Sequence, residues 1–259
     1  MKQIFTTTLF ILFLATTGLA QQGIQYSMYM LNKYGHNPAY AGLDNSLSFT
    51  TVLRRQWAGI PGTPSTQQFN MHLPLYIAGG GLGLKVENDM IGLHRQTSAS
   101  LSYAWHRPIG KAGILSLSLG GGIVQRSLDG SSIITPDGIY GPDPGPPDHQ
   151  DAFLPNGTTS AIAPTAVAGV YFQSEAFEIG IGADNLLESS FNYTETSNED
   201  YQLKRNYYIL LAYNLNLGKR FVMHPSVFVK SDIIQTQTDF SMLLQYDDNI
   251  FGGASFRGY

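Results

Sequence analysis

The sequence predicts an all-β chain, with a transmembrane outer-membrane β-barrel of antiparallel strands as its leading form. Three observations carry this. Apolar and polar residues alternate with a period of two over most of the chain. The polar face of that alternation is Ser, Gly, Asn and Gln, in a chain of 259 residues of which only 13% are charged. The chain also opens with an export segment. A secreted β-sandwich or solenoid shares the alternation and is the competing form. Small polar side chains suit the crowded interior of a barrel, where side chains converge. Aromatic residues near strand ends, such as Trp105, Tyr213 and Tyr246, suit an interfacial girdle.

In chain order, residues 1–20 read as a signal peptide. Met1-Lys2 precedes the apolar run Leu9-Phe10-Ile11-Leu12-Phe13-Leu14-Ala15, and Gly18-Leu19-Ala20 offers small residues to a peptidase. Cleavage after Ala20 would leave Gln21 first. The run is too short for a membrane helix, which needs about 18 apolar residues or more. Residues 21–45 follow as a plug or lumen segment. Tyr26, Met28, Tyr29, Met30 and Leu31 make it amphipathic without clean alternation, and Asn37-Pro38-Ala39-Tyr40-Ala41-Gly42 forces a turn.

Residues 46–259 read as the barrel. Ala99, Leu101, Tyr103 and Trp105 share one strand face, opposite Ser98, Ser100 and Ser102. Leu115, Leu117 and Leu119 oppose Ser116, Ser118 and Gly120. Phe177, Ile179, Ile181 and Ala183 oppose Glu178, Gly180, Gly182 and Asp184. Tyr207, Ile209, Leu211, Tyr213, Leu215 and Leu217 form another apolar row, and Phe240, Met242 and Leu244 a further one. Gly79-Gly80-Gly81, Pro108-Ile109-Gly110-Lys111, Ser174-Glu175 and Leu217-Gly218-Lys219-Arg220 read as tight turns. Residues 129–159 hold Pro142, Pro144, Pro146 and Pro147 and read as a long loop, and residues 194–200 as a shorter one. This spacing accommodates roughly eleven strands.

Composition closes several functional classes. There is no cysteine, so no disulfide framework, thiolate zinc site or thiol nucleophile. A net charge of -4 gives no basic footprint, and nucleic acid is not expected as a partner. His36, His72, His94, His106, His149 and His224 are scattered without metal-ligand spacing. Asp143, Asp148 and Asp151 lack the regular spacing of a calcium loop. Gly79-Gly80-Gly81-Leu82-Gly83 has no Lys-Ser/Thr and no following helix, which excludes a phosphate loop. Glu87 and Asp89 share a strand face, but no Gly-x-Ser-x-Gly elbow accompanies the serines. Neither an enzyme activity nor a cofactor or metal is expected. Lys85, Arg107, Lys204, Arg205 and Lys230 are candidates for a pore ring, or for ordinary pairing with Glu87, Glu178 and Asp232.

The order of several motifs resembles a known family. They are Gln25-Tyr26-Ser27-Met28-Tyr29-Met30, Asn37-Pro38-Ala39-Tyr40-Ala41-Gly42 and Arg54-Arg55-Gln56-Trp57-Ala58-Gly59-Ile60-Pro61-Gly62-Thr63-Pro64-Ser65-Thr66-Gln67. Asp89-x-Ile91-Gly92, Tyr103-Ala104-Trp105, Gly169-Val170-Tyr171-Phe172, Asn185-Leu186-Leu187, His224-Pro225-Ser226 and Gly252-Gly253-Ala254-Ser255-Phe256-Arg257 follow. Together they are similar to the PorP/SprF family of type IX secretion membrane proteins from Bacteroidetes. The resemblance implies a non-catalytic outer-membrane β-barrel that supports export or surface anchoring of large secreted adhesins of the gliding-motility type. Its implied partners are outer-membrane lipid and an adhesin or other type IX secretion components. A passive porin or small-solute transporter is the alternative.

The candidate plug or partner contacts are Asn37, Pro38, Tyr40, Gly42, Arg55, Gln56 and Trp57. Family members usually continue beyond the Gly-Gly-x-Ser-Phe-Arg block, and Arg257 sits where an apolar residue is expected. The barrel is therefore expected to be C-terminally incomplete, with roughly three strands missing from an even-numbered wall.

Overall fold

A computed structural model describes residues 24, 26–140, 148–151, 154–191, 201–247 and 249–258. The predicted signal peptide, the four loop prolines, and the 194–200 loop lie outside these residues.

Fourteen strands follow one another among the described residues. They are β1 (Ser48–Arg55), β2 (Ser65–Leu75), β3 (Gly80–Ile91), β4 (His94–Ile109), β5 (Gly113–Asp129), β6 (Thr158–Gln173) and β7 (Phe177–Asp184), then β8 (Ser190–Phe191) and β9 (Tyr201–Gln202). The rest are β10 (Asn206–Tyr213), β11 (Leu215–Asn216), β12 (Phe221–Ser231), β13 (Thr236–Tyr246) and β14 (Ile250–Gly258). One antiparallel sheet runs in the order β1-β2-β3-β4-β5-β6-β7-β10-β12-β13-β14, with β11 extending the wall beside β12. β8 and β9 form a separate small hairpin. Every neighbour on the main path is the next main strand in sequence, so the sheet is a meander. No ladder joins its edge strands β1 and β14 among the described residues.

The connections separate by end. Residues 76–79, 110–112, 174–176, 214–220 and 247–249 link strands at one end and are short. Residues 56–64, 92–93, 130–157, 185–205 and 232–235 lie at the other, which carries the long loops. Two turns sit differently from the sequence expectation. Residues 76–79, a single 3-10 turn over Tyr76–Ala78 ending in Gly79 at φ +66°, reverse the chain, while Gly80 and Gly81 already pair with Leu75 and Pro74. Pro108 and Ile109 still belong to β4 and pair with Ile114 and Gly113. The row expected to run from Tyr207 to Leu217 breaks at Asn214, whose backbone N–H turns to Ala176 O at 2.7 Å and whose side chain donates to Glu175 O at 3.0 Å.

The sheet is inside out relative to a soluble one. Leu119 is 69% exposed, and Phe49, Leu53, Leu101, Ile123, Ile162, Ile181 and Phe240 also face outward. The other face carries a set of buried polar residues, among buried apolar ones such as Ala104, Val124, Ala163 and Leu210. Thr66, Gln68, Asn70 and His72 on β2, Ser100 and Ser102 on β4, Glu178 on β7 and Gln237, Asp239 and Ser241 on β13 are all in this set. A soluble sheet buries its apolar row and shows the polar row to water. Here the rows have exchanged places, which is the arrangement of a wall in lipid. Outward aromatics gather at the short-turn end. Trp105 and Tyr213 lie there beside the ring pairs Phe172/Phe177 at 5.3 Å and Phe221/Tyr246 at 4.9 Å. No helix among the described residues is long and apolar enough to cross a membrane.

Candidate functional site on the inner face

Residues 26–45 fold against the polar face as a chain of single turns: Tyr29–Leu31, α1 (Lys33–His36) and Pro38–Tyr40. Local chemistry sets each. Asn32 caps α1, its Oδ1 accepting the Gly35 N–H at 3.2 Å. Asn37 precedes a proline, which keeps it extended at φ -142°, ψ 108°. Its Oδ1 then accepts the Ala39 N–H at 2.9 Å, so Asn37-Pro38 starts the next turn with a cap and a preset φ. Gly42 ends the run at φ +79°, where a Cβ would lie 2.9 Å from Gly81 Cα and 3.0 Å from Leu73 O. Only glycine meets both demands.

This segment bonds to strands from one side of the sheet to the other. Asn32 Nδ2 donates to Gln68 on β2 at 2.5 Å, and Asn70 donates back to Asn32 Oδ1 at 2.7 Å. The Tyr26 hydroxyl donates to Glu87 on β3 at 2.5 Å. Tyr34 shares a 3.0 Å hydrogen bond with Ser102 on β4. Ser116 on β5 donates to Ala39 O at 2.6 Å, and Asn37 Nδ2 donates to Val170 O on β6 at 3.0 Å. Lys33 Nζ grips both oxygens of Glu178 on β7, at 2.8 and 2.7 Å. The same carboxylate accepts a short hydrogen bond from Tyr171. Tyr29 meets Ser226 on β12 at 2.9 Å and stacks on Phe228 at 4.7 Å. Arg257 on β14 donates to Tyr26 O at 3.0 Å.

Tyr26 thus touches β3 and β14, eight strand spacings apart on the path. In a flat sheet those strands would stand about 38 Å apart at about 4.8 Å per strand. One residue spans no such distance, so the sheet curls around the segment. Arg257, unexpected in an apolar row, is an inward residue that pairs with Asp239 at 2.9 Å. The segment also has a direction. Ile24 O accepts from Lys230 near the long-loop end at 2.5 Å, and Ala41 O bonds His106 near the short-turn end at 2.9 Å.

Glycines make the room. A Cβ on Gly83 would strike the Tyr34 ring, one on Gly169 the Asn37 side chain, and one on Gly182 the His36 carbonyl oxygen. A Cβ on Gly180 would lie 2.6 Å from Tyr171. Glycine inside a strand often marks a barrel bend. At these four positions the reason is the side chain or backbone seated against them. His36 is enclosed by Tyr26, Tyr208 and Phe228. Burial, then the ammonium groups of Lys85 and Lys230, pushes its pKa down to about 3, so it sits neutral. Burial and a 2.6 Å bond to Asp44 push the Tyr40 phenol up.

The seven candidate contacts divide in space. Asn37, Pro38, Tyr40 and Gly42 are buried on the inner face. Tyr40 packs edge-on against Tyr171 at 5.1 Å, and the Gly42 N–H donates to His72 Nδ1 at 3.2 Å. Arg55, Gln56 and Trp57 lie instead at the long-loop end. Arg55 ends β1 facing outward, the Gln56 N–H donates to Pro64 O at 2.9 Å, and Trp57 is 65% exposed. Of the five cations offered for a pore ring or for ordinary pairing, two form ion pairs and one faces outward. Arg107 faces outward, Lys85 pairs with Asp184 at 2.6 Å, Arg205 with Glu188 at 3.0 Å, and Lys230 holds Ile24 O. Sequence reading missed Asn32, Lys33, Gln68, Asn70 and Tyr171. The alternation Thr66-x-Gln68-x-Asn70-x-His72 was the available signal for two of them.

A family model described as type IX secretion system membrane protein PorP/SprF matches residues 18–259. The chain belongs to the PorP/SprF family. No curated protein and no solved structure matches it. As a PorP/SprF protein it is a membrane component of type IX secretion.

Proposed function

We propose that this PorP/SprF protein is a non-catalytic outer-membrane β-barrel with residues 21–45 as its plug, supporting export or surface anchoring of a large secreted adhesin. The observation that carries this is the exchange of faces, apolar outward and polar inward around residues 26–45. Lipid offers no partners for backbone groups, so a spanning sheet must curl and satisfy them internally. The short turns then face the periplasm and the long loops the cell exterior.

A filled interior favours a binding role over a passive porin. Arg55, Gln56 and Trp57, exposed or half-exposed at the loop end, are the proposed partner contacts, with Trp57 at the interface. The test is affinity purification of the tagged full-length protein from outer membranes. Recovery of a large secreted adhesin or type IX components supports the proposal. Their absence, with steady large conductance in a planar bilayer, supports the porin instead. Trp57→Ala and Arg55→Ala should lower surface adhesin before they lower the amount of barrel. A parallel fall of both would make the residues structural only.

A further inference from the structure

A cavity of about 280 Å³ opens at the long-loop end, with Tyr26, Gly35 and His36 of the inner segment among its lining residues. Six buried side-chain polar atoms among the described residues have no hydrogen-bond partner, and four belong to residues lining this cavity. They are His36 Nε2, Arg126 Nε, Asp184 Oδ1 and Asn206 Oδ1. His36 and Asn206 are 6% and 8% exposed, so solvent does little for them. Buried polar atoms are almost always paired, and a cluster without protein partners calls for another. Asp184 and Asn206 are direct cross-strand neighbours on β7 and β10, so two acceptors stand side by side.

Charge divides the cavity. Its acids are engaged: Glu87 by Tyr26 and Gln68, Asp89 by Thr66, and Asp184 Oδ2 by Lys85. Its outer cations are less so. The Arg126 guanidinium lies 3.4 Å over the Tyr201 ring, and its Nε has no hydrogen-bond partner among the described residues. Lys204 has one long 3.5 Å bond to Gln202. The cavity therefore offers donors to an anion and acceptors to hydroxyls.

We propose that it binds a carboxylate-bearing sugar ring of hexuronic acid size. The carboxylate would take Arg126 and Lys204, and ring hydroxyls would donate to Asp184 Oδ1 and Asn206 Oδ1. A phosphate dianion would face the free Asp184 oxygen at a cost. A neutral sugar would leave Arg126 unpaired, and acetate would leave the two acceptors unpaired. The volume sits just under the range of about 300–1,000 Å³ usual for drug-sized ligands, which suits a single ring.

The experiment is calorimetric titration of the full-length protein in detergent with glucuronate, galacturonate, glucose and acetate. At least one uronate should bind at about 1 mM or tighter, and glucose and acetate about tenfold more weakly. Methyl glucuronide separates the sources: equal binding marks a residue within a polysaccharide, weaker binding marks the free acid. Arg126→Gln and Asn206→Ala should each weaken uronate about tenfold. Arg107→Gln, outward on β4, should not change it. In the unmutated protein, glucuronate should also slow modification of Arg126 by phenylglyoxal, read by mass spectrometry. No uronate binding, equal binding of acetate or glucose, or an unprotected Arg126 would overturn the proposal.

Discussion

Adding one methyl group at Gly182 tests the inner packing directly. Gly182 lies on the polar face of β7, and a Cβ there would approach the His36 carbonyl oxygen closer than the 3.0 Å that such atoms keep. The obstacle is backbone, so no rotamer change relieves it, and the segment must move. Overpacking of this kind costs about 1–3 kcal/mol. Displacing residues 36 and 37 also strains the 3.0 Å bond from Asn37 to Val170 O, worth about 1 kcal/mol more. The expectation for Gly182→Ala is a loss of roughly 3 kcal/mol, read as a lower urea midpoint in detergent micelles. A second reading is local. Trypsin should cut after Lys33, a bond shielded while Lys33 Nζ is held by Glu178. Gly252→Ala, with nothing within 4 Å of its added Cβ, is the matched control and should change neither. If Gly182→Ala keeps both the midpoint and the protection of Lys33, the segment does not sit where its hydrogen bonds place it.

Further outcomes follow from the same geometry. Glu178→Gln strands Lys33 in a site where the two side chains are 9% and 22% exposed. After allowance for that exposure it should cost about 2–3 kcal/mol in urea unfolding, while Lys33→Met with Glu178→Leu should cost less than the single change. Leu119→Arg, which a soluble protein would tolerate at 69% exposure, should cost about 2–4 kcal/mol in lipid vesicles if that face meets hydrocarbon. No loss would refute the membrane face. His36 titrates lower when folded, near 3, than its ordinary 6.5. Its contribution is therefore full above pH 6.5 and declines as pH falls towards 3, because the unfolded chain takes the proton first. Trypsin sensitivity at Lys33, measured after brief acid exposure, should rise across that window, and His36→Phe should flatten the rise.

Strand positions and the sense of each face were legible because a period of two needs no knowledge of neighbours. Leu117 and Ser116 already announce opposite sides. Partners were not legible, because curl and stagger decide them. Nothing local tells Asn32 that it will meet Gln68, or Lys33 that Glu178, 145 positions away, will hold it. Asn37–Gly42 and Arg55–Trp57 are close in sequence, yet one group lies inside the curl and the other at its rim. Arg257 read as a departure until Asp239 and Tyr26 stood beside it. The cavity atoms had no sequence signal, since an orphaned oxygen is a property of surroundings.

The bond between Arg257 and Tyr26 O joins positions 231 apart, and Lys230 holds Ile24 O across 206. Contacts of such separation form slowly, because the whole intervening loop must close first. The holds on Ile24 O and Tyr26 O therefore form only once β12 and β14 have arrived. A wall that stalls before those strands leaves these two holds unmade. The seated segment is in this sense a receipt for finished assembly, issued only when the latest strands report to the earliest residues.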